Sequence, residues 1–239
     1  RMPYDCRNGG CGQCKCTVLY GDVELGPYQT SVLSDEERRA GKVLACIAMP
    51  LTDVEVEYEP IELPGGLRPK TWRAKVVSMA KASDDVMIVH LAVEGDEPLL
   101  YYAGQYVNVI LDDGQRRSLS FATAPHDHAE VELQIRLIPG GRFTTHVFEK
   151  MKVGDTLRIE GPLGSFFLRE DSKKPIVFVA GATGFAPVKS MVEHALHVGM
   201  KRRMYLYWGV RSLSDLYMPN LPAQWAAEHP HFTFVPVLS

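Results

Sequence analysis

Cysteine is scarce in this chain and confined to one end. Five occur in 239 residues, all between Cys6 and Cys46, and none follows. That distribution argues against a disulfide framework spread over the fold and restricts thiol chemistry to one module. An excess of basic charge is also missing: 26 Lys and Arg stand against 29 Asp and Glu, a formal net charge of −3, so nucleic acid is not an expected partner. Long hydrophobic runs are absent too. The stretch Pro175-Ile176-Val177-Phe178-Val179-Ala180 has the length of a strand and falls far short of a bilayer span, which argues against membrane insertion. No signal peptide, internal repeat or low-complexity segment stands out. What remains is an ordinary globular composition, 46% hydrophobic, longer than one typical domain. Its cysteine usage fits a reducing cytoplasm.

The cysteines that are present carry the strongest signal. Cys6, Cys11, Cys14 and Cys46 follow the pattern C-x4-C-x2-C with one distant partner, the plant-type ligand spacing of a [2Fe–2S] cluster. Gly9, Gly10 and Gly12 allow the backbone to fold around such a group and aim N–H donors at its sulfurs. A structural zinc site is the competing reading, but it normally draws paired C-x2-C units, and only Cys11 and Cys14 make one. Cys16 lies in the apolar run Cys16-Thr17-Val18-Leu19-Tyr20 and reads as a packing residue on a strand.

Three modules follow one another. Residues 1–60 read as a small α+β domain: a strand over 15–20, a short helix opened by the S-x-x-E capping box of Ser34 and Glu37, then Cys46 and an alternating strand over 53–58. Residues 61–70 have linker composition. Residues 71–170 carry short strands over 72–79, 86–93, 105–111, 131–138 and 156–160, the rhythm of an antiparallel barrel, with one helix bearing Phe143, Val147, Phe148 and Met151. From 171 to 239 the pattern alternates strand and helix as in a parallel α/β sheet, and Val188, Met191, Val192, Ala195 and Leu196 mark a helix that Gly199 ends. The short approach to Cys6 and the end of the chain at a strand predict that both termini are truncated.

Three places suit phosphate. Gly181-Ala182-Thr183-Gly184-Phe185-Ala186-Pro187 joins a buried strand to a helix whose N-terminus favours an anion, and Pro187 is tolerated in its first turn; a Gly-rich turn without a ligand remains the alternative. Arg117-Ser118-Leu119-Ser120 sits at a strand end, where Arg117 can grip a phosphate bidentately. Gly140-Gly141-Arg142-Phe143-Thr144-Thr145 opens a helix and offers a second anion site. Either stretch alone also suits a solvated strand end or an N-cap. The histidines suggest no metal site: His126 and His128 lie in a polar loop, and His194 and His197 on the exposed face of a helix.

In this order, the motifs give the chain a close resemblance, over nearly its whole length, to the ferredoxin–NAD(P)+ reductase superfamily with a plant-type ferredoxin domain fused at the N-terminus. Oxygenase reductase components and CDP-6-deoxy-glucoseen reductases share that organisation, and the chain reads more like the latter branch. The resemblance implies a multidomain fold: an α+β β-grasp ferredoxin domain, an antiparallel β-barrel flavin domain and an α/β parallel-sheet nucleotide domain. Arg117, Ser118, Leu119 and Ser120 match the family's R-x-Y-S flavin motif, with Leu119 in place of the tyrosine that packs on the ring. Ser120 becomes the neighbour of the flavin ring, assigned as the catalytic position, and Arg117 a phosphate anchor. By the same comparison Gly141, Thr144 and Thr145 hold the FAD pyrophosphate. Gly161-Pro162-Leu163-Gly164-Ser165-Phe166 resembles the loop between flavin and nicotinamide domains. Gly181, Thr183, Gly184 and Pro187 match the pyridine-nucleotide loop, and Arg211 approaches the adenosine end of the cofactor. The family's C-terminal cysteine-glycine motif has no counterpart after Cys46.

The implied activity is electron transfer from NADH, or NADPH, through FAD and the cluster to a partner protein, either a dehydrase or an oxygenase component. A nicotinamide gives two electrons together and a [2Fe–2S] cluster accepts one, so a flavin between them matches the two. Arg211 and Ser212 suit a 2′-phosphate, but Asp215 adds an opposing charge, which tilts the choice to NADH. A non-catalytic electron-transfer or nucleotide-sensing subunit is the reading from another class.

Overall fold

Short alternating strands dictate a structure that is mostly sheet. The computed structural model describes residues 2–4, 6–60, 67–127 and 129–238, and the chain divides into two units, residues 1–66 and 67–239. The expected linker over 61–70 falls largely on 61–66, which, like His128, lie outside the described residues.

In the first unit β1 (Lys15–Tyr20) pairs antiparallel with β3 (Lys42–Leu44) and β5 (Glu55–Glu57). The strand expected over 53–58 is present but shorter. A separate ribbon joins β2 (Val23–Leu25) to β4 (Ala48–Pro50); three residues are too few to display a period, so neither is legible beforehand. Helix α1 (Asp35–Arg39) begins at the expected capping box. Ser34 Oγ accepts the Glu37 N–H at 3.2 Å, and Glu37 Oε2 accepts the Ser34 N–H at 3.0 Å. The core gathers Cys14, Leu33 and Leu44, with Leu25, Tyr28 and Ile47 packed around them. Cys16 is buried on β1 opposite Val43, a packing residue as expected.

The second unit starts with six antiparallel strands: β6 (Lys70–Lys81), β7 (Val86–Val93), β8 (Tyr106–Ile110), β9 (Arg116–Ser120), β10 (Val131–Arg136) and β11 (Thr156–Leu163). Their order is β10-β7-β6-β11-β8-β9. The two edges approach each other at the isolated bridge Phe121–Leu133, beside which the Ala122 N–H donates to Glu132 O at 2.9 Å. Pairing stops there because Thr123 Oγ1 takes the Glu132 N–H, at 2.5 Å, in place of a backbone carbonyl. The sheet is therefore barrel-like without being a closed barrel. Val76, Val89, Leu91, Val107, Phe121, Leu133 and Ile159 fill its interior, and α2 (Arg142–Glu149) adds Phe143 and Val147 to that core. Each such side chain stabilises the fold by about 1.5–3 kcal/mol through lost apolar surface.

The remaining elements alternate as expected: β12 (Ile176–Gly181), α3 (Phe185–His197), β13 (Met204–Val210), α4 (Asn220–Glu228) and β14 (Phe232–Leu238). The strands form a parallel sheet in the order β12-β13-β14. Val188, Met191, Val192 and Ala195 are the buried stripe of α3. Gly199, at φ +71°, allows the left-handed turn that ends this helix, and Met200 N–H returns to Ala195 O at 2.9 Å. Val86, Ala103 and Leu168 join the core under this sheet, so the six-stranded and three-stranded parts of the unit share one hydrophobic cluster.

Candidate functional site

The cysteine loop is held open by backbone geometry. Gly9 and Gly12 both sit at φ +75°, and a Cβ on Gly9 would lie 3.1 Å from Pro27 O and from Tyr28 Cβ, so the close approach and the left-handed backbone both call for glycine. The loop directs N–H groups at sulfur: Gly10 N–H donates to Cys6 Sγ at 3.3 Å. Burial works against the Cys6 thiolate, but the N–H groups of Asn8, Gly10 and Cys11, together with the Cys11 thiol, outweigh it and hold Cys6 below the ordinary thiol range. Burial pushes the Cys14 thiol up to about 11, helped by Cys46 and Cys11.

Cys11 thus bears on the Cys6 thiol, and Cys46 and Cys11 both bear on Cys14. All four are free thiols. Among the described residues no three His, Cys, Asp or Glu side chains converge as on a single ion. Four thiols at the C-x4-C-x2-C spacing with one distant partner suit a [2Fe–2S] cluster better than a zinc site built from paired C-x2-C units.

The predicted flavin residues are split by their environments. Leu119 lies opposite Val107 and packs against the sheet core. Ser118 Oγ donates to Asn108 Oδ1 at 2.8 Å, and Ser120 ends β9 opposite Tyr106. Arg117 folds back along its own strand, donating to Arg116 O at 2.9 Å and Gln115 Oε1 at 2.7 Å. A cofactor phosphate would have to replace these surface bonds. Gly141 is the N-cap of α2, and no side chain caps that helix, which leaves its first N–H groups for an anion. Thr144 is placed differently from its neighbour Thr145. Its hydroxyl is buried and accepts the Ile138 N–H at 3.1 Å, so it ties the loop that enters α2. Thr145 instead lines a cavity of about 700 Å³ between α2, β8 and β11, with Gly140, Arg142 and Arg158. Asp113, in the turn before β9, pairs with Arg142 at 2.8 Å. The Gln115 N–H, that ion pair and the charge of Arg117 hold its carboxyl below the usual range. Asp113 thus brings the β9 motif and the N-terminus of α2 to one place.

The nucleotide turn uses its glycines for space and not for unusual backbone angles. Gly181 and Gly184 have ordinary backbone angles, φ −113° and −60°, whereas the left-handed residue is Ala182 at φ 45°. The glycines contribute space: no atom lies within 4 Å of where a Cβ would stand on either. Ala182–Gly184 form a 3-10 turn continuous with α3, and Pro187 falls in the first turn of that helix. Beside the turn is a cavity of about 320 Å³ at the C-terminal ends of β12 and β13, where nucleotides bind open α/β sheets. Arg211 lines it and contacts Asp215 Oδ2 at 3.2 Å and Asp85 Oδ2 at 3.9 Å. Arg136 donates to the same Asp85 oxygen at 2.8 Å. Asp85 and Arg136 come from the flavin sheet, distant in sequence and outside any motif, so nothing in the sequence marks them.

The histidines do not form a metal site among the described residues. His126 stacks on His197 with centroids 3.6 Å apart, and His194 Nε2 lies 3.2 Å from Glu170 Oε1. Among the described residues no helix is long and apolar enough to cross a membrane.

Family models match for a 2Fe-2S iron-sulfur cluster binding domain over residues 1–51, an oxidoreductase FAD-binding domain over 73–168 and an oxidoreductase NAD-binding domain over 178–239. The chain is 37% identical over 238 residues to the CDP-6-deoxy-L-threo-D-glycero-4-hexulose-3-dehydrase reductase of Yersinia pseudotuberculosis, covering 100% of this chain and 71% of that protein. It is 36% identical over 242 residues to the reductase component of a Pseudomonas phenol 2-monooxygenase, covering 100% of this chain and 68% of that protein. A solved Amycolatopsis cytochrome P450 reductase superposes with a TM-score of 0.76 at 39% identity, over 100% of this chain and 72% of that one. The chain therefore belongs to the family of NAD(P)H-dependent reductases that join a [2Fe–2S] ferredoxin domain to FAD- and NAD-binding oxidoreductase domains.

Proposed function

We propose that this chain is the NADH-dependent electron donor to a separate protein, a dehydrase acting on a CDP-linked deoxysugar, in the cytoplasm. The observation that carries electron transfer is the set Cys6, Cys11, Cys14 and Cys46, inside a matched 2Fe-2S cluster binding domain, in a chain that also has a nucleotide turn at the end of β12. Bound FAD and cluster supply the chemistry, converting a two-electron donor into a one-electron source. The protein binds and orients. Arg117 and the uncapped N-terminus of α2 attract the flavin phosphates, Ser120 neighbours the flavin ring, and Leu119 shields it where an aromatic would stack. Gly181, Thr183, Gly184 and Pro187 present the helix N-terminus to the nicotinamide nucleotide. Arg211 lies beside it, already neutralised by Asp215 and Asp85, and that pre-neutralisation favours NADH over NADPH because an added phosphate finds its cation engaged. The modules run 1–60, 71–170 and 171–239, with a linker over 61–70.

A second acceptor class has its own support. The 36% identity to a phenol monooxygenase reductase component and the 39% identity to a P450 reductase favour an oxygenase partner. Anaerobically NADH-reduced full-length protein, mixed with purified dehydrase or with an oxygenase component, separates the readings. The proposed partner reoxidises it at least tenfold faster than the other, and equal rates would contradict a dedicated acceptor.

A further inference from the structure

The boundary between the flavin sheet and α3 is polar at its centre. Lys189, in α3, is 8% exposed, and its ammonium lies 3.0 Å from Glu132 Oε2, 3.1 Å from Glu193 Oε2 and 3.3 Å from Ala122 O. Ser190, fully buried, donates from Oγ to Thr123 O at 2.6 Å. The network continues through Gln134 Nε2, 2.7 Å from Glu132 Oε1, to Tyr217, whose hydroxyl donates to Gln134 Oε1 at 2.5 Å. Desolvating an ammonium is costly, and well-packed apolar residues often serve stability as well or better. Stability alone therefore does not account for a lysine here.

Its placement does. Ala122 and Thr123 follow Ser120 at the end of β9, the strand that carries the flavin motif. Helix α3 begins directly after the turn at Gly184, and at 1.5 Å per residue Lys189 stands only ~7.5 Å along its axis. One helix thus holds the nucleotide turn at its N-terminus and, from its second turn, grips two successive carbonyls just beyond the flavin motif.

We propose that Lys189, with Glu132 and Ser190, is a positioning latch that fixes the end of β9 against the nucleotide turn, so that nicotinamide and flavin meet at one set distance. This rests on the flavin and nucleotide assignments proposed above. The latch belongs to neither binding site, so its loss slows electron passage without loosening either ligand.

The test uses full-length, FAD-loaded protein carrying Lys189→Met, Lys189→Arg, Ser190→Ala, or Lys189→Met with Glu132→Gln, the last removing a carboxylate that the single change leaves buried and unpaired. Flavin content, the NADH dependence of flavin reduction in stopped flow, and amide hydrogen exchange over residues 121–124 without NADH are measured. The double variant is expected to keep its flavin and its half-saturating NADH concentration within twofold, to lose at least tenfold in limiting reduction rate, and to exchange faster at 121–124. Lys189→Arg restores most of the rate. A flavin-replete double variant that reduces within twofold of the parent overturns the latch, as does a slower rate without faster exchange. If neither Met variant retains flavin, Ser190→Ala decides: slower reduction with faster exchange supports the latch, and parental behaviour overturns it. Ser120→Ala is run alongside. If it leaves flavin absorbance and reduction untouched, the flavin placement and the latch fall together; if it responds while the Lys189 variants do not, the latch alone falls.

Discussion

Trp208 Nε1 donates a hydrogen bond to Ala182 O at 2.9 Å, tying the centre of the parallel sheet to the one left-handed residue of the nucleotide turn. The indole is fully buried and stacks on Phe185 with centroids 3.9 Å apart, at the first residue of α3. A single side chain therefore holds both the turn and the helix that leaves it.

Trp208→Phe keeps an aromatic ring against Phe185 and removes the donor. The Ala182 carbonyl keeps the Phe185 N–H, so loss of the indole donor is expected to cost about 0.5–1.5 kcal/mol, read as a lower urea midpoint. Because the lost bond sits on the turn, NADH affinity falls by about tenfold, equivalent to ~1.4 kcal/mol, in a binding titration. An unchanged Kd would separate the turn from nucleotide binding.

Gly141→Ala probes the other anion site. The new Cβ would stand 2.7 Å from Thr144 Oγ1 and 3.0 Å from Ile138 O, displacing the hydroxyl that closes the entry to α2. The expected loss is ~1–3 kcal/mol of stability from overpacking, with a lower FAD content after purification. Full flavin occupancy in this variant would argue against the α2 N-terminus as the pyrophosphate site.

Cys46→Ser and Cys16→Ser make a paired test. Both change one sulfur to oxygen, but only Cys46 contacts Cys14 in the ligand set, while Cys16 is buried packing on β1. Cys46→Ser is expected to lose iron and the visible cluster bands while flavin absorbance persists. Cys16→Ser keeps the cluster and loses ~1–2 kcal/mol because a hydroxyl is buried. Equal iron in both variants would remove Cys46 from the ligand set.

Asp85 predicts an acid dependence. Burial opposes its carboxylate, but hydrogen bonds from Arg136 and Ser83 and the charges of Arg136 and Arg211 outweigh that and hold its pKa below the ordinary 3.8. A folded-state value below the unfolded one stabilises the protein above the unfolded pKa, and that stabilisation is lost as pH falls through the folded value. Asp85→Asn should therefore melt lower than the parent at neutral pH, and the gap should close as pH drops below roughly 4. A gap that stays constant down to pH ~2 would contradict the assignment.

Much of this architecture is legible in the sequence because it rests on local rules. Cysteine spacing marks the cluster loop, the Ser34–Glu37 box starts α1 as written, and the buried stripe of α3 follows its period. What escapes is non-local or geometric. β2 and β4 are too short to show alternation, and the sheet edges β9 and β10 meet only at the Phe121–Leu133 bridge, beyond which the Glu132 N–H turns to the Thr123 hydroxyl. At the nucleotide turn the left-handed backbone falls on Ala182, held by Trp208, and nothing in the sequence marks an alanine for it. Arg211 meets Asp85, and Lys189 meets Glu132, only after two halves of the unit pack, and such pairings leave no mark on either stretch.

The central claim is tested most directly by anaerobic titration of full-length protein, loaded with FAD and cluster, with NADH while the visible spectrum is followed. Flavin and iron–sulfur bands should bleach together, with NADPH far less effective. Protein that holds both cofactors and keeps both bands unchanged at saturating NADH would contradict the account.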